Sequence, residues 1–237
     1  MSQPHPYTAA VIAAAGSSRR MGGDKLKAPI GGRPAIVRTL AAFEECERID
    51  EIVLTTRRER ISELAELVQK NGFGKIREIV AGGETRTASV QNGVSKISEQ
   101  TEMLCVHDGA RPFVTPELIE RVLEGAVRCG AATAAVRVKN TIKSADENGR
   151  VLSTPPRETL WEIQTPQCFS LQLYRAALAA CPGNYTDDCG PIEAYGRPVL
   201  LIEGDRRNIK LTTPEDLLIA KIFWETREQA HANRTRI

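Results

Sequence analysis

The feature that most constrains the fold is the alternation of strand-like and helix-like segments along most of the 237-residue chain. Short apolar runs such as residues 8–15 and 103–107 are typical of strands that are buried on both faces. Segments with apolar residues at helical spacing lie between them, and the connections are short. This order predicts a doubly wound, mostly parallel α/β sheet.

The predicted elements can be read along the chain from their spacing and from their start and stop signals. Thr-Pro pairs at 115–116 and 213–214 place a capping residue and a first-turn proline at two helix starts. Strands are expected at 8–15, 51–56, 76–80, 103–107, 131–138 and 199–202. Helices are expected at 34–48, 61–70, 85–97, from 115, at 171–180, after 186 and from 213.

Residues 139–161 interrupt this alternation. Two short extended runs are joined by Asp146-Glu147-Asn148-Gly149, a strong turn signal, and the ribbon is polar on both faces. A two-stranded hairpin is marginal in water, so it must rest either on its own domain or on another subunit. We therefore predict one domain over residues 1–237 with a protruding β-hairpin arm inserted at 139–161, and both resting places stay open at this point.

Composition and charge exclude several classes of protein. Apolar residues make up 41% of the chain and charged residues 26%, as in ordinary globular proteins. The net charge of +2 is too small for general attraction to nucleic acid or to anionic lipid, and no apolar run reaches the roughly 20 residues that span a bilayer. The six cysteines contain no C-x-x-C pair, and residues 1–8 do not resemble a signal peptide. We expect reduced cysteines, a cytoplasmic location, and neither a nucleic-acid nor a membrane partner.

A cationic loop follows the first predicted strand, at residues 16–27. Ligands of open α/β sheets bind outside the carboxyl ends of the strands, and small residues let backbone N–H groups approach phosphate. The loop matches neither the P-loop pattern nor the dinucleotide fingerprint, since no Lys-Ser/Thr follows Gly22 and Ser18 replaces the second glycine. Four cations lie within nine residues, Arg19, Arg20, Lys25 and Lys27. The loop therefore favours a nucleoside triphosphate over the alternative of an exposed, solvated loop.

Two further segments are candidates for the same site. Asp108 follows a central strand, where a carboxylate near a triphosphate is suited to bind Mg²⁺ together with phosphate oxygens. His107 is expected to be a packed or hydrogen-bonded histidine and not a general base. The Gly82-Gly83 turn leads into a helix that carries Ser89, a plausible surface for reading a base.

Six short motifs occur in a fixed order and together are far more specific than any one of them. In this order they resemble the cytidylyltransferase family that acts on 2-C-methyl-D-erythritol 4-phosphate in non-mevalonate isoprenoid synthesis, over about residues 8–218. The motifs are Ala14-Ala15-Gly16 with Arg20-Met21, Gly82-Gly83 with Arg86 and Ser89, His107-Asp108 with Ala110-Arg111-Pro112, Thr165-Pro166-Gln167 with Phe169, Thr186-Asp187-Asp188, and Asn208-Ile209-Lys210.

The resemblance implies a nucleotidyltransferase of Rossmann-like fold that transfers CMP from CTP to a sugar or polyol phosphate with Mg²⁺. It implies catalytic roles for Arg20 and Lys27, metal binding by Asp108, and a homodimer in which the 139–161 arm reaches the partner's site. It implies that CTP is bound by Ala14, Ala15, Gly16, Ser17, Ser18, Gly83, Glu84, Arg86, Ser89 and Gly109. It implies that the acceptor phosphate is bound by Arg111, Thr141, Arg157, Thr165, Thr186 and Lys210.

Three alternatives accompany this interpretation. Ribitol 5-phosphate cytidylyltransferase shares the chemistry and much of the motif set. A non-catalytic, regulatory nucleotide-binding module would keep the loop without turnover. The family usually has Pro-Lys-Gln around its catalytic lysine, whereas this chain has Leu26-Lys27-Ala28, so Lys25 competes with Lys27 for the role.

Overall fold

Strands and helices alternate along the chain in the computed structural model, which describes residues 5–16, 23–183 and 185–234, with the side chains of 228–234 excepted. The strands are β1 (Thr8–Ala13), β2 (Pro29–Ile30), β3 (Arg33–Pro34), β4 (Glu51–Thr56), β5 (Ile76–Ala81), β6 (Met103–Asp108), β7 (Ala131–Arg137), β8 (Ser144–Ala145), β9 (Val151–Ser153), β10 (Trp161–Ser170) and β11 (Leu200–Glu203). The α-helices are α1 (Ala35–Glu45), α2 (Ile61–Asn71), α3 (Arg86–Val94), α4 (Pro116–Cys129), α5 (Leu171–Ala180), α6 (Gly190–Ala194) and α7 (Pro214–Arg234).

Seven of the strands form one sheet in the order β11-β7-β10-β6-β1-β4-β5. β1 pairs in parallel with both β4 and β6, β4 with β5, and β7 with β11. β10 lies between β6 and β7 and is antiparallel to both. The predicted α/β class with a mostly parallel sheet is confirmed.

Helices cover the sheet on both faces. Successive side chains of a strand point to opposite faces, so alternate residues belong to different apolar clusters. Along β1, Ala10 and Ile12 belong to the apolar cluster under α1, α2, α4 and α7. The alternate residues Ala9 and Val11 belong to the cluster under α3, α5 and α6. The central strand β1 is almost entirely apolar because both of its faces are buried.

The strand β10 was not predicted from the sequence. Pro166 and the polar residues Gln164 and Gln167 break the apolar pattern in its middle, and the pairing of β10 with β7 shifts register between Ile163 and Gln167. Its buried half, from Gln164 to Phe169, still fills the gap between two central strands. Strand position in the sheet therefore overrides the local signal of a proline, which is rare in central strands except at such irregularities.

The predicted hairpin arm is present as β8 and β9. Its turn is closed by Asp146, whose carboxylate Oδ1 accepts hydrogen bonds from the backbone N–H groups of Asn148 (3.0 Å) and Arg150 (2.8 Å). Val151 and Leu152 are exposed, Leu152 by 68%. The arm thus leaves its few apolar side chains uncovered within this chain.

Two smaller expectations can be compared with the structure. All six cysteines lie in the described part of the chain and are free thiols. Within the described ranges, no helix combines the length and the apolar character that crossing a membrane demands.

Candidate active site

The carboxyl ends of β1 and β6 meet at one edge of the sheet. Ala13 is the register partner of Asp108, and the N–H of Gly109 donates to the carbonyl of Ala13 at 2.9 Å. A Cβ on Gly109 would lie 2.9 Å from Cδ1 of Ile36 in α1 and 3.2 Å from Cβ of Ala14, so this glycine allows the helix and the end of β1 to pack closely against it. Gly109, predicted to bind CTP, does not line the cavity described below.

The Gly82-Gly83 turn stands beside these strand ends and opens α3. A Cβ on Gly82 would lie 2.5 Å from Cβ of Ala15, and one on Gly83 would lie 2.5 Å from Cβ of Ala88. The Ser89 hydroxyl accepts a hydrogen bond from the N–H of Gly83 (3.1 Å) and donates to the carbonyl of Thr85 (2.9 Å). Ser89 therefore stabilises the turn that leads into the helix.

A cavity of about 500 Å³ lies between the β1 end and this turn. Its walls bring together most of the residues predicted to bind CTP, and the predicted residues Ser17, Ser18 and Arg20 lie outside the described residues. The predicted residues on its walls are Ala14, Ala15, Gly16, Gly83, Glu84, Arg86, Ser89, Asp108 and Lys210. Ala13, Lys25, Leu26, Thr85 and Ala110 also line it and were not predicted as binding residues.

The two competing lysines occupy different places. Lys25 lines the cavity, and its Nζ lies 4.0 Å from the position that a Cβ on Gly16 would occupy. Lys27 does not line the cavity, and its Nζ forms an ion pair with Oε1 of Glu63 at 2.8 Å. Of the pair, Lys25 is the one placed to meet a ligand in the cavity.

A buried arginine holds the turn that carries both lysines. Arg60 contacts Asp24 twice, Nη1 to Oδ1 at 3.2 Å and Nη2 to Oδ2 at 2.7 Å. The same Asp24 carboxylate accepts the N–H of Leu26 at 3.1 Å, and the Leu26 side chain is buried in the core. Because the Leu26 side chain is buried, the turn determines the positions of Lys25 and Lys27, which lie on either side of it in the sequence.

A second cavity, of about 270 Å³, lies on the other side of Asp108. Four of the residues predicted to hold the acceptor phosphate line it, namely Arg111, Thr165, Thr186 and Lys210. Thr165 is fixed by the strand β10, because its hydroxyl accepts the N–H of Asp108 at 3.1 Å and is hydrogen bonded to Nδ1 of His107 at 3.0 Å. The unpredicted strand thus builds one wall of this cavity.

The two cavities share a wall formed by Arg86, Asp108 and Lys210. Asp108 is only 6% exposed and is surrounded by cations. Lys210 Nζ lies 2.8 Å and Arg111 Nε 3.6 Å from Oδ2, and Arg86 Nε lies 3.1 Å from Oδ1. Burial by itself would raise the pKa of Asp108, but Lys210, Arg86 and Arg111 hold the pKa well below its usual range, so the carboxylate stays ionised.

His107 is a buried structural residue, as expected. It is fully buried, its ring packs against Phe43 at a centroid distance of 5.0 Å, and its Nε2 lies 3.4 Å from the carbonyl of Arg111. Burial lowers the pKa of His107 to about 3, so the ring is neutral near pH 7. A neutral ring that is fully enclosed is unsuited to exchange protons with a ligand.

The remaining predicted acceptor residues, Thr141 and Arg157, lie on the arm and do not line either cavity of this chain. Both are exposed, and Arg157 Nη1 donates to the carbonyl of Lys139 at 3.0 Å. Their place on the arm leaves them available to another subunit, as the prediction of an intersubunit site requires.

Sequence reasoning missed several polar residues of the second cavity, Gln164, Gln167 and Asp187. Gln167 Nε2 donates to Oδ2 of Asp187 at 3.0 Å, and its Oε1 accepts the N–H of Asp188 at 2.9 Å. Gln167 and Asp187 belong to motifs of which only the first member had been assigned, Thr165 and Thr186, and Gln164 directly precedes the first of these motifs. Because they lie in the same short motifs as Thr165 and Thr186, Gln167 and Asp187 could have been predicted as site residues from the sequence.

A metal ion at this site would need oxygen atoms from the bound substrate as well as from the protein. No three His, Cys, Asp or Glu side chains of the described segments cluster in a way that could hold a metal ion. Asp108 offers one ionised carboxylate at the wall between the cavities, which fits Mg²⁺ because this ion is usually held by one or two carboxylates and substrate phosphates. A metal on Asp108 would have to replace at least one of its present cationic partners.

The chain is similar in sequence to enzymes of one family. The family model of 2-C-methyl-D-erythritol 4-phosphate cytidylyltransferase matches residues 8–226. A protein of that name from Caldanaerobacter subterraneus is 43% identical over 220 residues, 90% of this chain and 97% of the relative. Another from Geobacillus kaustophilus is 45% identical over 224 residues, 92% of this chain and 97% of the relative.

Solved structures agree with this assignment. The 4-diphosphocytidyl-2C-methyl-D-erythritol synthase of Anaerococcus prevotii superposes with a TM-score of 0.83 at 32% identity, covering 92% of this chain and 98% of its own. The 2-C-methyl-D-erythritol 4-phosphate cytidylyltransferase of Thermus thermophilus gives a TM-score of 0.74 at 31% identity, with coverage of 92% and 99%. With its motifs, cavities and sheet in the places that such an enzyme needs, the chain belongs to the 2-C-methyl-D-erythritol 4-phosphate cytidylyltransferase family.

Proposed function

We propose that this chain transfers CMP from CTP to 2-C-methyl-D-erythritol 4-phosphate and releases pyrophosphate. The observation that carries the proposal is the wall of Arg86, Asp108 and Lys210 shared by two cavities. The larger cavity is bounded by the glycine-rich segments that are expected to bind a nucleotide. The smaller cavity is bounded by residues that are expected to bind the acceptor phosphate. The transfer needs the two substrates to meet, and the shared wall is where ligands of the two cavities would meet.

The nucleotide is assigned to the larger cavity. Gly16 is assigned to the triphosphate, and the turn at Gly83, which leads into α3, is assigned to the base. Arg20 stays a predicted catalytic cation, and the resemblance assigns the lysine role to Lys27. The position of Lys25 on the cavity wall supports giving the lysine role to Lys25 in this chain.

The acceptor phosphate is assigned to the smaller cavity, beside Arg111, Thr165, Thr186 and Lys210. A phosphate monoester is largely a dianion at neutral pH, since its second pKa is about 6. Its oxygen can therefore form the new bond to the α-phosphorus without a general base, and the bond to the β-phosphate oxygen breaks as pyrophosphate leaves with the electron pair. The neutral, buried His107 is consistent with a site that needs no base.

Catalysis in such a site consists of positioning and charge stabilisation. Two polyanions must approach each other, and fixed cations in a partly dry cavity stabilise the extra charge of the transition state. Asp108 is assigned to Mg²⁺ with the phosphate oxygens, and the bound ion would supply further positive charge there. Arg86, Arg111 and Lys210 surround the same carboxylate and would bind the phosphates from the protein side.

The homodimer and the cytoplasmic location stay predictions. The polar arm with exposed Val151 and Leu152 supports the dimer, because these apolar side chains have no cover in their own chain. The predicted acceptor residues Thr141 and Arg157 would then act in the partner's site.

The experiment that tests the function is pyrophosphate release from CTP, measured with 2-C-methyl-D-erythritol 4-phosphate and with ribitol 5-phosphate in parallel. We expect release with the first acceptor. Release with ribitol 5-phosphate alone would assign the chain to the related chemistry. Binding of CTP without release in the presence of either acceptor would favour a regulatory nucleotide-binding module and contradict the proposal.

A further inference from the structure

One buried carboxylate beside the site, that of Asp188, has no role in the proposed reaction. Its side chain is 2% exposed, and its backbone N–H donates to Oε1 of Gln167 at 2.9 Å. The Tyr174 hydroxyl lies 3.5 Å from its Oδ1. Because an ionised carboxylate is costly to bury, its cationic partner decides what it does.

That partner is Arg86, which Asp188 shares with Asp108. Nη1 of Arg86 lies 2.6 Å from Oδ2 of Asp188, and Nε lies 3.1 Å from Oδ1 of Asp108. Two carboxylates thus hold one planar guanidinium through two different nitrogens. An arginine fixed at two points has a defined orientation, which a single contact does not give.

Arg86 lies where this orientation matters. It lines both cavities, so its guanidinium borders the place where the nucleotide and the acceptor would meet. Asp108 has two other cationic partners, Lys210 and Arg111, whereas the only ion pair found for Asp188 in the described part of the chain is the one with Arg86. Asp188 therefore acts on the shared wall through Arg86.

We propose that Asp188 is a positioning residue for the transfer reaction: it holds Arg86 at the wall between the cavities, in the orientation that meets the transferred phosphate. Without the Asp188 charge, Arg86 is restrained only by Asp108 and turns toward it. The guanidinium then loses its alignment with the phosphate, while the nucleotide cavity keeps its glycine turns and its lysine. This inference rests on the proposed function.

The test compares Asp188→Asn with Asp188→Glu by steady-state pyrophosphate release. We expect Asp188→Asn to lower kcat by about 10- to 100-fold, the size of a small misplacement of a catalytic group, with little change in the KM for CTP. Asp188→Glu keeps the charge and should recover most of the lost kcat. Tyr174→Phe is the control: it removes the other side-chain contact of Asp188, and we expect a lower melting temperature but normal kcat.

A double-mutant cycle separates positioning from a general structural effect. Once Arg86→Gln has removed the guanidinium, adding Asp188→Asn should cause no further loss of kcat. An equal additional loss in that background, or normal kcat in Asp188→Asn alone, would overturn the inference. If Asp188→Asn does not fold, Arg86→Lys tests the same point, because lysine keeps the positive charge but has only one nitrogen with which to contact the two carboxylates. Normal turnover of Arg86→Lys would then overturn it.

The same measurements distinguish this inference from the proposed function. Wild-type protein that releases no pyrophosphate with any acceptor would overturn both. Wild-type protein that is active, together with unchanged turnover in the Asp188 variants, would overturn the positioning role alone.

Discussion

Lys27 and Glu63 form an ion pair, with Nζ of Lys27 2.8 Å from Oε1 of Glu63. This contact directs Lys27 away from the cavity wall that Lys25 occupies, although the two lysines are only two residues apart. Lys27 is 54% exposed, and such exposed pairs contribute at most about 1 kcal/mol to stability. The ion pair therefore shows where the Lys27 side chain lies, but it contributes little to the stability of the fold.

We predict that Lys25→Ala lowers kcat by about 100- to 1,000-fold, the loss typical of removing one preorganised donor to a developing charge. Lys27→Ala should lower it by less than tenfold, because its main partner is a surface carboxylate. Initial rates of pyrophosphate release at saturating CTP give both values. A larger loss in Lys27→Ala than in Lys25→Ala would return the catalytic role to Lys27.

The turn that carries both lysines depends on the pair of Asp24 and the buried Arg60. Asp24→Asn removes the nearer of the two carboxylates paired with Arg60 and leaves Oε2 of Glu63 at 3.7 Å from its Nε, and we expect the free energy of unfolding to fall by about 2–4 kcal/mol. Urea denaturation measures this change. The matched control is Glu59→Gln, whose exposed pair with Arg57 should change stability by less than about 0.5 kcal/mol. Equal effects of the two substitutions would show that the Asp24 pair does not hold the turn.

Asp108 gives a prediction about metal dependence. Chelation of divalent ions should abolish turnover with CTP, and added Mg²⁺ should restore it. In Asp108→Asn, we expect kcat to fall by about 100-fold and the Mg²⁺ dependence of CTP binding to weaken, because Asn lacks the charge that a hard cation requires. Calorimetric titration of CTP with and without Mg²⁺ measures the binding. Full activity after chelation would remove the metal role from Asp108.

The intersubunit role predicted for the arm can be tested by mixing two impaired variants of the protein. One carries Arg157→Ala and the other Asp108→Asn. If the arm completes the partner's site, subunit exchange produces heterodimers with one intact site, and random pairing should restore about a quarter of the wild-type activity. If each arm serves its own chain, both sites of the heterodimer are defective. Activity that stays at the level of the unmixed proteins would contradict the intersubunit arrangement.

Much of the fold could be predicted from local sequence because a central strand such as β1, buried on both faces, is almost entirely apolar, and because helix starts such as Thr115-Pro116 carry their own signals. β10 could not be predicted in this way. Its proline and two glutamines are typical of a loop. The segment is a central strand because it pairs with β6 on one side and with β7 on the other. Long-range pairing of this kind leaves no local pattern.

The site shows the same division. Gly16, Gly83 and Asp108 could be predicted, since each follows a recognisable strand or opens a helix. The choice between Lys25 and Lys27 depends on Arg60 and Glu63, more than thirty residues away in the sequence, and so it required the structure. The shared use of Arg86 by Asp108 and Asp188 required it as well, because these three residues come from three separate motifs.

The most direct test of the account is the ratio of kcat/KM for the two acceptors, measured with CTP and Mg²⁺ on the same preparation of wild-type protein. We expect 2-C-methyl-D-erythritol 4-phosphate to be preferred over ribitol 5-phosphate by at least about 100-fold, since a cavity with several buried polar groups discriminates strongly between acceptors that pair with them differently. Detection of the cytidine diphosphate adduct of the first acceptor as the main product would agree with this. An equal or reversed ratio would contradict it.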